Sequence, residues 1–197
     1  MKTIIFDFDG VVENTFELHK NNVEKFTGAK FSKKGFQELH NGNILANKNI
    51  KLKNVDWLKY QKFIFKEQSN LKIESQIKKF LLRLSKKYEF FIVTSGSSKN
   101  IKAYLKKNKI NKIFKDVLGI ELHKTKIDKF NFLFIKYNLK RSDCVFITDT
   151  LGDILEANKL KIKTIAIDFG FHNKKTLKIG KPFKIVSSFN EVEKILA

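Results

Sequence analysis

The chain has one cysteine, Cys144, and one proline among 197 residues. A single thiol cannot close an internal disulfide, so a buried core must hold the fold, and a reducing cytoplasm is the natural setting. Cys144 opens the apolar run Cys-Val-Phe-Ile-Thr, which predicts a small buried residue rather than a reactive thiol. Long hydrophobic runs are also missing. Lys or Arg interrupts each within a few residues, so none is long enough for a membrane-spanning helix. The opening Met-Lys-Thr-Ile-Ile-Phe-Asp-Phe-Asp-Gly places two aspartates in its apolar run, and no small-residue cleavage site follows; both argue against a secretion signal. His19, His40, His123 and His172 share no ligand spacing on one element, and each reads as a surface or packing residue. Acidic residues number 20 against 40 basic ones, a net charge of +20. Such a surface attracts any polyanion or phosphorylated solute. The lysines are spread from Lys20 to Lys194 and are not gathered beside aromatics, which argues against a dedicated nucleic-acid interface.

At this length the chain suits one core domain with a modest insertion. Residues 3–8, 90–94, 145–148 and 164–167 read as buried strands: short, β-branched and aromatic. Between them lie helical patterns, such as Ile73, Ile77, Phe80, Leu81 and Leu84, then Ile101, Tyr104 and Leu105. The alternation predicts an α/β fold, a Rossmann-like parallel sheet flanked by helices, with ligands bound beyond the carboxyl ends of the strands. Residues 14–70 break the rhythm with helical signals alone, and Gly28, Gly35 and Gly42 mark turns. We read this stretch as a small all-helical cap inserted after the first strand, with residues 1–13 and 71–197 forming the core domain. Trp57, within the cap, reads as core more readily than as a ligand contact.

Four strand ends carry chemistry. The first is Asp7-Phe8-Asp9-Gly10. Two carboxylates two residues apart point the same way under ideal pleating, although a turn at Gly10 can redirect the second. One could attack phosphorus while the other handles the leaving-group proton. They end an otherwise buried strand, where unpaired charge is costly, so a bound cation is expected. The second is Thr94-Ser95-Gly96, a hydroxyl followed by N–H groups before a helix, which serves a phosphate oxygen or a simple helix cap. The third is His123-Lys124-Thr125-Lys126-Ile127-Asp128. Thr125 and Asp128 resemble a capping box, which places Lys126 in the first turn, where a cation is disfavoured unless it serves a carboxylate or phosphate. The fourth, Thr148-Asp149-Thr150-Leu151-Gly152-Asp153, offers two more carboxylates that could complete an oxygen-ligand magnesium site with Asp7.

In this order, and over nearly the whole chain, the four motifs resemble those of the haloacid dehalogenase-like superfamily; Phe-Asp-Phe-Asp-Gly-Val-Val is the most specific element. The resemblance implies that Asp7 is the nucleophile, that Asp9 is general acid and then base, and that Thr94, with Ser95, Gly96 and Gly10 around it, receives the phosphoryl group. It implies Mg²⁺ held by Asp7, the Asp9 carbonyl and Asp149, with Asp153 at or beside the ion. The second aspartate favours the phosphatase branch, and the helical insertion matches the cap of the phosphoglycolate phosphatase and β-phosphoglucomutase subfamily. The superfamily's lysine-proline signature is absent; Lys124 and Lys126 compete for the catalytic lysine, Lys126 being favoured by its place at the helix start. Asp9 is expected to be protonated, because burial and anionic neighbours disfavour its charge. The implied activity is Mg²⁺-dependent hydrolysis of a small phosphorylated metabolite through an aspartyl-phosphate. Two other readings stay open, a phosphotransferase of the sugar-phosphate mutase kind and a basic binding protein on the same fold.

Overall fold

A computed structural model describes residues 2–46, 49 and 52–196. Residues 47, 48, 50 and 51, inside the expected cap, and the two terminal residues lie outside that description.

Strand β1 (Thr3–Phe6) is buried on both faces along its whole length, as a central parallel strand must be. It pairs in parallel with β2 (Glu89–Val93) on one side and β4 (Cys144–Thr148) on the other. Outward from these lie β3 (Phe114–Leu118) and β5 (Lys163–Ile167), and β6 (Lys184–Val186) forms the far edge, giving the order β3-β2-β1-β4-β5-β6. Register places Phe6 beside both Ile92 and Ile147. Asp7, Thr94 and Asp149 therefore leave the sheet along one rim, the sequence-distant strand ends being brought together by pairing alone.

Alternation along the strands feeds two cores. Ile4 and Phe6 face a cluster completed by α4 (Ser75–Leu84), α5 (Ser98–Lys107) and α9 (Phe189–Leu196). Ile5 faces the opposite cluster, made with α6 (Lys126–Lys136) and α7 (Leu151–Lys159). Cys144 is fully buried there, and its thiol is pushed up to about 11 by burial. Helix α8 (Lys174–Ile179) covers the β5–β6 end through Leu177. Strands β3 and β6 had no clear sequence signal. Both are edges: β3 carries Lys115 and Asp116, and β6 is three residues long, which suits edges that must not pair with another chain.

Helices α1 (Phe16–Thr27), α2 (Lys33–Glu38) and α3 (Trp57–Asn70) follow β1. They enclose a separate apolar cluster around Phe16, Val23, Phe36, Tyr60 and Ile64. Phe171, from the loop after β5, enters that cluster, its ring edge-on to Phe16 at 5.0 Å. Polar contacts tie the same face to the core. Gly152 N–H donates to the His40 carbonyl (3.0 Å), and Gln37 Nε2 donates to the Phe171 carbonyl (2.6 Å).

The turn after β1 is built on Gly10 (φ +76°), with the Phe8 carbonyl accepting from Val11, Val12 and Glu13. A Cβ at Gly10 would stand 1.9 Å from Asp149 Oδ2. Gly28, ending α1 with φ +73°, has open space where its Cβ would be. Gly28→Ala should therefore cost about 1 kcal/mol from backbone strain alone. Gly10→Ala should cost about 3 kcal/mol, strain plus overpacking. Urea denaturation of the two variants checks the difference, and equal losses would contradict the close packing at Gly10.

Candidate active site

Lys126 begins α6, whose N-cap Thr125 accepts the Asp128 N–H, the capping arrangement expected from the spacing. Its side chain is 2% exposed, so its charge needs partners. Nζ lies 2.8 Å from Asp7 Oδ2 and 2.6 Å from Asp153 Oδ2, and Thr148 Oγ1 also donates to Asp153 (2.6 Å). Two carboxylates, from the β1 end and from the start of α7, thus share one buried ammonium. Burial raises the Asp7 pKa well above the carboxylate range; Lys126 opposes that shift, and Asp153 and Asp149 add to it. At Asp153 burial also works against ionisation, but Lys126 and the Thr148 hydroxyl outweigh it and hold the carboxyl low. Lys126, in turn, is held protonated by the two carboxylates despite burial.

Asp9 turns away from Asp7 toward the helical insertion. Its Oδ1 accepts from Thr15 Oγ1 (2.8 Å), His19 Nε2 (2.9 Å) and Gln68 Nε2 (3.3 Å). A carboxylate oxygen with three donors fixes the proton of His19 on Nε2, and Nδ1 meets the Tyr60 hydroxyl at 2.9 Å. Oδ2 faces the Ser95–Gly96 turn, 3.5 Å from where a Gly96 Cβ would stand. The expectation of a protonated Asp9 is corrected here: burial does push upward, but His19 and Thr15 outweigh it and the pKa is lowered. The anionic neighbours considered from sequence face Asp7 and Asp149, whereas Asp9 faces donors.

Asp149 is fully buried. Its Oδ2 accepts the Phe171 N–H (2.6 Å), while Oδ1 has no hydrogen-bond partner among the described residues. Burial, with the Asp153 charge beside it, pushes its pKa up to about 8 against the opposing Phe171 N–H. A buried carboxylate oxygen without a donor is the feature that a divalent cation would relieve, and the all-oxygen donor set suits Mg²⁺. The carboxylates are not already gathered round one point: among the described residues no three His, Cys, Asp or Glu side chains could hold an ion together. Asp7 and Asp153 are drawn to Lys126 instead.

Across the rim, Gly96 N–H donates to Thr94 Oγ1 (2.9 Å), and Thr94 is fully buried beneath the turn. Ser95 and Gly96 line a cavity of about 70 Å³ together with Asp7, Asp9, Lys126 and Asp153. Its far wall comes from the insertion, with His40, Asn43, Trp57 and Tyr60. Thr94 and Asp149 support the wall from behind. Lys124 is corrected as a candidate: it is exposed, and its carbonyl accepts from Asn43 Nδ2 (3.2 Å), which leaves Lys126 as the lysine of the cavity among the described residues.

Three groups were not foreseen. His19 reads from sequence as a packing residue, yet it holds Asp9; its place four residues after Thr15 on the first turn of α1 is the signal that could have found it. Gln68, fully buried on α3, joins Asp9 to Asn100 Nδ2 (3.1 Å) and has no sequence signature. Lys129, fully buried one turn after Lys126, donates to the Thr94 carbonyl (2.6 Å). Trp57 packs edge-on against Tyr60 (5.7 Å) and also borders the cavity, so it serves both purposes weighed for it.

Residues 4–167 match the family model of haloacid dehalogenase-like hydrolases. The chain therefore belongs to that family. A curated phosphoglycolate phosphatase of Vibrio parahaemolyticus is 26% identical over 109 residues, 54% of this chain and 48% of that protein, so the match spans about half the relative's length. Among solved structures, a haloacid dehalogenase-like hydrolase of Streptococcus pneumoniae superposes with TM-score 0.84 at 19% identity, over 100% of this chain and 99% of that one. CbbY of Rhodobacter sphaeroides, solved with phosphate, gives 0.77 at 14% identity over 98% and 96%. At these identities the superpositions speak for the fold.

Lys126→Met should cost about 3 kcal/mol in metal-free buffer, because two buried carboxylates lose their shared cation. Adding Asp153→Asn to it should recover part of that loss in a double-mutant cycle. Additive losses would show that Lys126 and Asp153 do not act as a pair.

Proposed function

We propose that this chain is a phosphatase that hydrolyses a small phosphomonoester through an aspartyl-phosphate on Asp7. The observation that carries the reading is the buried Asp7–Lys126–Asp153 cluster on the wall of a cavity that also receives Asp9 and the Ser95–Gly96 turn. The family membership supports the same class of chemistry.

In this reading the Asp7 carboxylate attacks phosphorus in line and the bond to the leaving oxygen breaks. Lys126 offsets charge on the phosphoryl oxygens, and the Thr94 hydroxyl and the Ser95 N–H orient them. Asp7, the Asp9 carbonyl and Asp149, with Asp153 beside them, are the oxygens that would hold Mg²⁺, which when bound supplies further charge neutralisation at the phosphoryl group. Asp9 gives the leaving oxygen its proton through Oδ2. The arriving phosphoryl dianion itself raises the Asp9 pKa, which favours loading that proton. Ionised again, Asp9 takes a proton from water, whose oxygen attacks phosphorus; the bond to Asp7 breaks, and phosphate and both carboxyl groups are restored. Residues 14–70 act as the cap, closing the cavity against bulk water, and residues 1–13 and 71–197 carry the chemistry.

A screen of phosphorylated metabolites with Mg²⁺, read by released phosphate, tests the reading and separates hydrolysis from phosphoryl transfer to a second substrate. Asp7→Asn should lower turnover at least ~10³-fold, and Asp9→Asn about 10²- to 10⁴-fold. Chelation by EDTA should abolish turnover, and added Mg²⁺ should restore it. Normal turnover by the Asp7→Asn protein would falsify the nucleophile assignment.

Since His19 lowers the Asp9 pKa, His19→Leu should shift the acid limb of the kcat profile to higher pH, as the base is lost by protonation earlier on acidification. An unmoved limb would show that His19 does not set the Asp9 charge.

A further inference from the structure

Lys129 is fully buried, and its Nζ reaches the carbonyl of Thr94 at 2.6 Å. Burying an ammonium is costly, and a carboxylate partner is the usual remedy. Here the bond goes to a main-chain oxygen, and the anions that act on Lys129, namely Asp7, Glu156 and Asp153, do so at longer range. Burial and the neighbouring Lys126 ammonium push its pKa down to about 8, against those three anions.

The acceptor is what gives the contact meaning. The Thr94 carbonyl and the Ser95 N–H belong to one planar trans peptide, so the two point in opposite directions. A cation on the carbonyl side polarises the peptide and strengthens the N–H on the other side as a donor. Ser95 lines the cavity together with Asp7. The cavity is also lined by three aspartates, Asp7, Asp9 and Asp153, while the ammonium of Lys126 is already shared by two of them. A second positive charge under the turn offsets repulsion of an incoming dianion.

We propose that Lys129 is a positioning residue of the phosphoryl site: from beneath the Thr94–Ser95 peptide it holds the turn and charges the Ser95 N–H for a phosphoryl oxygen. The proposal rests on the phosphatase reading for its biological meaning, but it can be tested by anion binding alone.

The test is calorimetric titration of inorganic phosphate into the full chain with Mg²⁺, alongside KM and kcat on any substrate found. Lys129→Met removes charge and bond at similar volume. Lys129→Gln keeps a donor for the carbonyl but no charge. Lys106→Met, on the exposed end of α5, controls for net charge. Expected for the Met variant are a phosphate Kd and a KM raised about tenfold, with kcat changed less than about threefold, since the donor holds the phosphoryl group in ground and transition states alike. Its thermal stability should match or exceed that of the parent, because an apolar side chain replaces a buried ion. The Gln variant should keep most of the affinity loss, and Lys106→Met should bind like the parent. Parental phosphate affinity in Lys129→Met overturns the proposal. So does failure of both Lys129 variants to fold, which would make the residue structural. If the parent binds phosphate but hydrolyses nothing, the phosphatase reading fails while the Lys129 comparison still stands.

Discussion

Placing carboxylates at the ends of buried parallel strands creates an electrostatic problem that the rest of the site is arranged to answer. Asp7, Asp149 and Asp153 are withdrawn from water, and ions so placed must be paired or neutralised. The ammonium of Lys126, within 2.8 Å of two of them, supplies the pairing. It does so incompletely: Asp7 stays raised and Asp149 keeps a bare oxygen, so the cluster holds capacity for further positive charge. A site with that residual demand suits both a divalent ion and the electrophilic phosphorus of a bound ester.

The second aspartate is governed differently. Asp9 receives its donors from Thr15, His19 and Gln68, all on or beside the helical insertion. Its charge is thereby tied to the position of that insertion: if α1 and α3 withdrew, the lowering by His19 and Thr15 would go with them. Helix α3 also brings Trp57 and Tyr60 to the cavity wall, and the turn after α2 brings His40. Contacts at the opposite edge, from His40 and Gln37 to Gly152 and Phe171, anchor the insertion beside the loop that carries Asp149. The far wall of the cavity and the ionisation of Asp9 are consequences of the same packing.

A fold shared at 14–19% identity with TM-scores of 0.77–0.84 follows from the same physics. A parallel sheet constrains its strands to be apolar and short, which many residues satisfy, while the rim constrains a handful of polar ones. The cavity wall supplied by the insertion is under neither constraint, so the particular substrate depends on side chains that the shared architecture leaves free.

The chain itself determined the four central strands, the helices around them and the polar groups at their ends, because β-branched and aromatic runs stopped by Asp or Gly have one economical arrangement. The capping residues Thr125 and Asp128 likewise put Lys126 at the start of its helix from local chemistry alone. The edge strands β3 and β6 escaped sequence reading because an edge needs little hydrophobicity and benefits from charge. What only the tertiary structure decided is which groups meet: that Lys126 rather than Lys124 turns inward, that His19 and Gln68 reach Asp9 across 10 and 59 residues, and that Lys129 lies under Thr94. Protonation followed the same division. The sign of a pKa shift depends on which charges and donors lie within a few ångströms, and separation along the chain carries no record of that distance.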